Sequence, residues 1–549
     1  MQLWIQRVAI TALLIFAVYV RVDGLDEPLC WYDEGITLLR VAGHTEREVA
    51  AFASGHPAFP LGDLERFVRV DSSTRAIDAV RSVAGEDPQH TPLYYVAARP
   101  WALLFGSSIA AGRLFAAIIG LVAVAAMYWL CLELFVKTGA FSSHVPCWLG
   151  VALMALSPFQ VALAREHREY SLWSLTTILV CAAFLRAVRK NTWRAWAVFS
   201  AAMTLSLYTH PFSAMVLAAC GLWLLAQGRF RLTQALWRFT CASFAAGVAA
   251  IPLAMAVLAK RQTAENAMGW ARLYSQGRMN FRFSIDPVLH VTDSSFWDLI
   301  HLAEGWPGLR WRILLIQALP LVVLGCLAWF ARGKRRASAG FAFVMICSLS
   351  LPLFCWDFIT GSTVGWAYRY ALPSNLGWLL AGAFLLAVMV GDTGRWVEIR
   401  RGLVALFLLI AAVSATSLHA ARIPWVKTYF DNGETVDFLN DTSKIALVTD
   451  EFVGEVLALL PSVRPDLPLV WTPRCYSCPL AVTPVVQVPP LPAGFPTILY
   501  FRSWANLGKD PTRTALSSDH FNDPRFHSHS VVLPTGQPSL QLFLLTAIP

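Results

Sequence analysis

Two neighbouring acids, Asp33 and Glu34, stand in the run Trp31-Tyr32-Asp33-Glu34 shortly after the first apolar stretch. A carboxylate within reach of a hydroxyl can take its proton as the oxygen attacks, so this pair offers general-base chemistry. If the run opens a helix, consecutive side chains diverge by about 100°. The two acids then have separate tasks, one facing a substrate and the other bonding local backbone or a base. A solvated acidic pair on a long loop would show the same residues. A second group is Arg165-Glu166-His167-Arg168-Glu169-Tyr170. Arginine can hold a phosphate through paired N–H donors, which would account for such a density of charge. So would an internal Arg–Glu network that fixes a helix hairpin.

Further residues extend these groups. His90-Thr91-Pro92-Leu93-Tyr94-Tyr95 leads into a short apolar run, where the aromatics either meet a substrate or anchor the run in lipid headgroups. Tyr208-Thr209-His210-Pro211 makes a turn whose histidine serves a ligand or the turn itself. Tyr368-Arg369-Tyr370 precedes one apolar run, and Lys260-Arg261 closes another. Cys475-Tyr476-Ser477-Cys478 has the spacing of a local disulfide and also of a redox centre; outside a cytoplasm the structural disulfide is the plainer reading. No Walker-type loop, no G-x-G-x-x-G and no zinc-ligand spacing occurs, which excludes a nucleotide site of the Rossmann kind. The sequence leaves open whether a divalent metal sits on the carboxylates, and it requires no other cofactor.

The elements that position these residues are membrane spans. Of 549 residues, 56% are hydrophobic and 14% charged, against roughly 25% charged in average chains. A mean hydropathy of +0.52 over the whole length excludes a water-soluble fold. Runs of about 20 apolar residues are long enough to cross a bilayer. They occur near 5–22, 113–135, 145–163, 170–187, 194–209, 211–227, 239–258, 311–331, 339–356, 369–390 and 402–419, about eleven spans. The first is read as retained, since no small-residue cleavage site follows it. The run at 92–106 is short and carries Arg99-Pro100, so it reads as an interfacial helix. No sequence repeat and no broken span at mid-membrane is evident.

The net charge of +9 is a topology signal, not a nucleic-acid footprint. Arg186, Arg189, Lys190 and Arg194 form one cluster; Arg229, Arg231 and Arg238 a second; Arg332, Lys334, Arg335 and Arg336 a third; Arg400-Arg401 a fourth. Each follows an even-numbered span, so all lie on one side, which the positive-inside rule makes the cytoplasm. The N-terminus is then inside and the chain after 420 outside. The connections 23–112, 164–169, 209–210, 259–310 and 357–368 fall outside, and every constellation above lies on that side. Arginines there run against the usual bias and need a reason. After 420 proline becomes frequent and apolar runs shorten. A strand over 443–449, a helix over 451–460 and a strand over 467–471 predict a small extracytoplasmic α/β domain over 420–549, beside a membrane domain over 1–419.

Taken in order, Asp33-Glu34, His90 to Tyr95, Arg113, Ser157-Pro158-Phe159, Glu166 with Arg168 and Tyr170, Tyr208 to His210, and Arg369-Tyr370 resemble the C-type (GT-C) membrane glycosyltransferases. The similar branch is the protein-mannosyltransferase-like one, whose plan the lipid A aminoarabinose transferases share. The resemblance covers about residues 4–390; Thr91 departs from it, many relatives having proline there. It implies a polyprenyl-phosphate sugar as donor, a glycan, lipid or protein as acceptor, the first-loop acid as catalytic base and inversion at the anomeric carbon. Arg165, Arg168, Arg369, Lys260 and Arg261 are then the candidates for the lipid phosphate, with Glu166, Tyr170, His210, Tyr370, His90, Tyr94 and Tyr95 around the substrate. A bacterial inner membrane is the expected location, and no nucleic acid is expected as partner. A transporter would be expected to show repeat symmetry and broken helices. A membrane sensor would not need Asp33 or the outer arginines.

Overall fold

The computed structural model describes residues 2–269, 271, 278–297, 310–330, 333, 335–391, 396–421, 432–475, 497–501, 526–532 and 538–547. The chain forms two compact units. One, helical, comprises Met1–Leu25, Arg113–Met255 and Ser275–Val426. The other comprises Asp26–Gly112, Ala256–Tyr274 and Lys427–Pro549. This division cuts across the one expected from composition, because the first long connection packs with the C-terminal residues.

In the helical unit every apolar run of the sequence falls on a helix or a bent helix pair. Five described helices are long and apolar enough to cross a membrane: Ile109–Val136, Tyr170–Lys190, Arg336–Thr360, Tyr368–Gly391 and Val397–Ala420. Two bent pairs raise that number to seven, so the chain is a multi-pass membrane protein. The bends correct the expectation of unbroken spans. Val145–Leu156 turns by 58° into Pro158–Ala164, and Gln234–Ala249 by 45° into Ile251–Ala259. A proline disfavours helical backbone in the residue before it, and Ser157, before Pro158, is extended at ψ 117. Hydropathy cannot register such a break, because proline and serine barely change a window average.

The connection 259–310 also differs from expectation. It contains the helix Phe281–Phe296, opened by the Asn280 side chain, which accepts from Phe283 N at 3.1 Å. Its second half, His290 to Phe296, is buried against Arg336–Thr360, Leu372–Gly391 and Pro158–Ala164. Polar residues there survive burial because they bond one another. Ser174 Oγ donates to Gln160 Oε1 at 2.8 Å, Gln160 Nε2 to Asn375 Oδ1 at 2.7 Å, and Asn375 Nδ2 to Ser295 Oγ at 2.7 Å.

The second unit is built on a six-stranded sheet of order β1-β3-β2-β4-β6-β5. The strands are β1 Phe59–Pro60, β2 Ile445–Thr449, β3 Pro468–Trp471, β4 Thr497–Phe501, β5 Phe526–Val532 and β6 Pro538–Ala547. β2 runs parallel to β3 and β4, and all five of its residues are buried, as a central parallel strand covered on both faces requires. The helix Val453–Leu459 connects β2 to β3. β1 belongs to the first connection and pairs antiparallel with β3, Phe59 opposite Leu469. One hydrophobic core joins Ile36, Leu39, Val49, Phe59 and Leu61 to Leu447, Val456, Leu457 and Leu469. The first connection is therefore half of this unit and not a loop appended to the membrane helices.

The helix Tyr32–Ala42 lies in this core and ends at Gly43, whose φ of +88° suits only glycine at low cost. Its Arg40 is buried among three carboxylates, bonding Glu86 at 2.7 Å and Asp87 at 2.6 Å, with Glu46 at 3.9 Å. Burial pushes the Glu46 carboxyl up to about 8, with Arg40 opposing and the Asp87 and Glu86 carboxylates adding to the rise. The folded state thus keeps a proton that the unfolded state releases in the ordinary carboxylate range. Stability falls as pH rises from that range to about 8 and is level above it. Thermal unfolding at about pH 5 and about pH 9 should show a midpoint lower by several degrees at the higher pH. Glu46→Gln should remove most of that difference; an unchanged difference would assign it to other groups.

Candidate active site

Asp33 and Glu34 occupy the first turn of the helix Tyr32–Ala42, where carboxylates are favoured by the exposed N–H groups and the positive end of the helix dipole. They diverge as helical neighbours must: Glu34 is fully buried and Asp33 only half-buried. Of the pair, Asp33 is the one a substrate can approach. The far end of the helix is held by Arg99. Its guanidinium donates to Val41 O and Ala42 O, both at 3.0 Å, and to Thr74 Oγ1 at 2.9 Å. Arg99 belongs to the helix Leu93–Phe105, which packs on the acid helix and brings Tyr94 and Tyr95 with it. Both tyrosines are buried, edge to face at 6.1 Å, while His90 before them is half-buried. Lys260 and Arg261 lie in this same unit, exposed; Arg261 pairs with Glu265 at 2.7 Å.

In the helical unit, Tyr170 gathers several of the expected residues. Arg369 Nε donates to its hydroxyl at 2.8 Å, and the Arg369 guanidinium lies 5.8 Å from the Tyr170 ring and 5.5 Å from the Tyr370 ring. Arg168 lies 5.9 Å from the Tyr170 ring and pairs with Glu169 at 3.3 Å. Cations over aromatic faces are held without losing their charge. His210 stacks on Trp173 at 3.8 Å and 12°, and lies 5.7 Å from Tyr370. Phe212 N–H donates to His210 Nδ1 at 3.3 Å, which puts the ring proton on Nε2. Glu166, Arg168 and Tyr170 are buried; Arg369 is half-buried and the most open cation of the group.

Arg165 stands apart. Its guanidinium donates to Val20 O at 3.2 Å, Asp23 O at 2.7 Å and Gly24 O at 3.0 Å, the carbonyls at the end of the first helix, Gln2–Val22. Arg21, from that helix end, donates in turn to Met154 O at 3.0 Å and Ala155 O at 2.9 Å. Arg113 closes on Leu25 O at 2.8 Å. These bonds satisfy carbonyls at and just beyond the helix ends, and they give Arg165 and Arg113 partners within the chain. Two residues escape the sequence reading. His290 stacks on Tyr368 at 3.9 Å, beside Arg369, and Asp293 is buried one turn further along the same helix. Their i, i+3 spacing was a signal, hidden in a stretch too polar to register as membrane.

Cys475 is buried and held in a disulfide; its expected partner Cys478 lies outside the described residues, as does Lys334. Among the described residues no three His, Cys, Asp or Glu side chains group as metal ligands.

Residues 89–257 match the family of dolichyl-phosphate-mannose-protein mannosyltransferases. The fold is similar to that of ArnT from Cupriavidus metallidurans bound to undecaprenyl phosphate, with a TM-score of 0.52 and 13% identity over 98% of this chain and 97% of that one. ArnT in the apo state gives 0.51 and 14% over 98% of each chain. The Archaeoglobus fulgidus oligosaccharyltransferase in the apo form gives 0.47 and 11% over 83% of this chain and 64% of that one. No curated protein matches the chain in sequence. The family match covers less than a third of the chain, whereas the likeness in fold to ArnT runs over its length.

Arg165→Ala should act on stability first. Losing a charged donor from buried carbonyls costs about 1.5–3 kcal/mol. The unfolding midpoint in detergent should drop accordingly. A variant with unchanged stability and weakened binding of a lipid phosphate would return Arg165 to the ligand-binding group.

Proposed function

We propose that this protein is an inverting glycosyltransferase that moves a sugar from a polyprenyl-phosphate donor to a glycan, lipid or protein acceptor outside the cytoplasm. The observation that carries the reading is the fold shared with a protein whose structure holds undecaprenyl phosphate, joined to a half-buried acid in the first turn of the helix after the first span. In the proposed reaction Asp33 takes the proton of the acceptor hydroxyl as its oxygen attacks the anomeric carbon. The bond from that carbon to the phosphate oxygen breaks, and the electron pair leaves with the polyprenyl phosphate. A phosphate departs without being protonated, so one carboxylate suffices, unlike glycoside hydrolysis with its two. Arg369 and Arg168, both beside the Tyr170 ring, offset the charge growing on the phosphate. Glu34, buried on another face of the same helix, supports the helix instead of the proton transfer.

The proposal includes the full topology: eleven spans, the N-terminus in the cytoplasm of a bacterial inner membrane, and the C-terminal α/β residues outside. The charge of four loops supports that orientation. Labelling from outside, with native cysteine labelling subtracted, should tag Asp466→Cys and miss Arg401→Cys; the reverse pattern would overturn the orientation and the extracytoplasmic reaction with it.

The residue test uses a lipid-linked sugar assay. Asp33→Asn keeps size and hydrogen bonding but removes the base, and should lower turnover by about 10²–10⁴-fold while donor binding persists. Arg369→Ala should weaken donor use by about 1.5–3 kcal/mol, roughly ten- to a hundredfold. Near wild-type transfer by Asp33→Asn would remove it as base; loss in Glu34→Gln alone would exchange the two roles.

A further inference from the structure

The helix that carries Asp33 and Glu34 is seated on the C-terminal part of the chain through a pair of glycines. Tyr32–Ala42 packs along Val453–Leu459, the short helix between β2 and β3. At the crossing, a Cβ on Gly35 would lie 2.8 Å from Gly454 O and 3.1 Å from Ala458 N. A Cβ on Gly454 would lie 2.6 Å from Tyr32 Cε2 and 2.9 Å from Ile36 Cγ1. Real Cβ atoms do not approach so closely, so each glycine is there for what it lacks. Neither has a positive φ; close approach of the backbones is the reason for both. Tyr32 directly precedes Asp33, and its hydroxyl bonds the Glu46 side chain. Its ring is thus fixed at one edge by Gly454 and at its tip by the helix Glu46–Gly55.

At the far end of the acid helix, Arg99 holds Val41 O and Ala42 O and Arg40 holds Glu86 and Asp87. The glycine crossing meets Tyr32, at the start of the turn with the two acids. A displacement of about 1 Å at a reacting group costs on the order of 10²-fold in rate.

We propose that Gly454, with Tyr32 and Gly35, is the positioning joint of the reaction: the C-terminal helix Val453–Leu459 sets where the first-turn acid stands. This rests on the reading of Asp33 as base, and it assigns to the C-terminal residues a part in turnover. No ligand contact is required of them.

The test compares three variants of the full chain in the lipid-linked sugar assay. Gly454→Ala pushes on the Tyr32 ring and Tyr32→Ala removes it; each should lower kcat at least tenfold while KM for the donor stays within twofold. Gly62→Ala is the matched control. Its Cβ would meet Pro465 Cβ at 2.8 Å, so it strains the same union of first connection and C-terminal residues, away from the acid helix. It should lower the unfolding midpoint and leave kcat unchanged below that midpoint. If Gly454→Ala does not accumulate, Tyr32→Ala decides by the same two readouts. Full kcat in Gly454→Ala or Tyr32→Ala, or an equal loss in Gly62→Ala, overturns the joint. Asp33→Asn is assayed beside them. Its loss with full activity in Gly454→Ala sinks the joint alone, whereas its full activity sinks the reading of the base.

Discussion

A helix that ends inside a membrane protein leaves its last carbonyls without partners, and water is not there to supply them. This chain answers with buried arginines. Arg21 closes the end of Val145–Leu156, Arg165 the end of Gln2–Val22, and Arg99 the end of Tyr32–Ala42. The first two are reciprocal: each comes from one helix end and holds another, so the first helix and the Val145–Ala164 pair fix one another. A guanidinium suits the task because its fork of donors reaches two or three carbonyls at once and keeps its charge. The negative end of the helix dipole adds to the attraction. The placement of Tyr170 in one unit, and of Asp33 in the other, depends on helix ends made rigid in this way.

That constraint also explains what could be read from the sequence and what could not. The apolar runs all fold as helices, because a bilayer selects for length and hydropathy, and both are local properties. The arginines near the helix ends stood out as charges that need a partner. The partner was ambiguous, since a guanidinium binds a phosphate and a ring of carbonyls by the same geometry. Arg165 and Arg113 donate to backbone carbonyls. Arg369 has its Nε on the Tyr170 hydroxyl and remains half-buried beside two rings.

Two elements were illegible for different physical reasons. The helix Phe281–Phe296 buries His290, Thr292, Asp293, Ser294 and Ser295; hydropathy reads such a segment as an exposed loop, because it cannot see that hydroxyl and amide groups are satisfied internally. The union of the first connection with the C-terminal sheet is a matter of long-range shape. Gly35 and Gly454 are separated by most of the chain, and nothing in local periodicity announces that two glycines will meet. The strand–helix–strand order after 443 was legible, because β2 and β3 are short apolar runs bounded by turn residues; that β1 would join their sheet was not, since two residues carry no period.

The proposed reaction draws its sugar from a polyprenyl monophosphate and inverts it on transfer. The direct measurement supplies the purified chain with an anomerically defined polyprenyl-phosphate sugar and an acceptor, then follows both products. Free polyprenyl phosphate should appear in proportion to glycosylated acceptor, whose new bond shows by magnetic resonance the anomeric configuration opposite to the donor's. Retained configuration, or transfer that requires a nucleotide sugar and releases no polyprenyl phosphate, would contradict it.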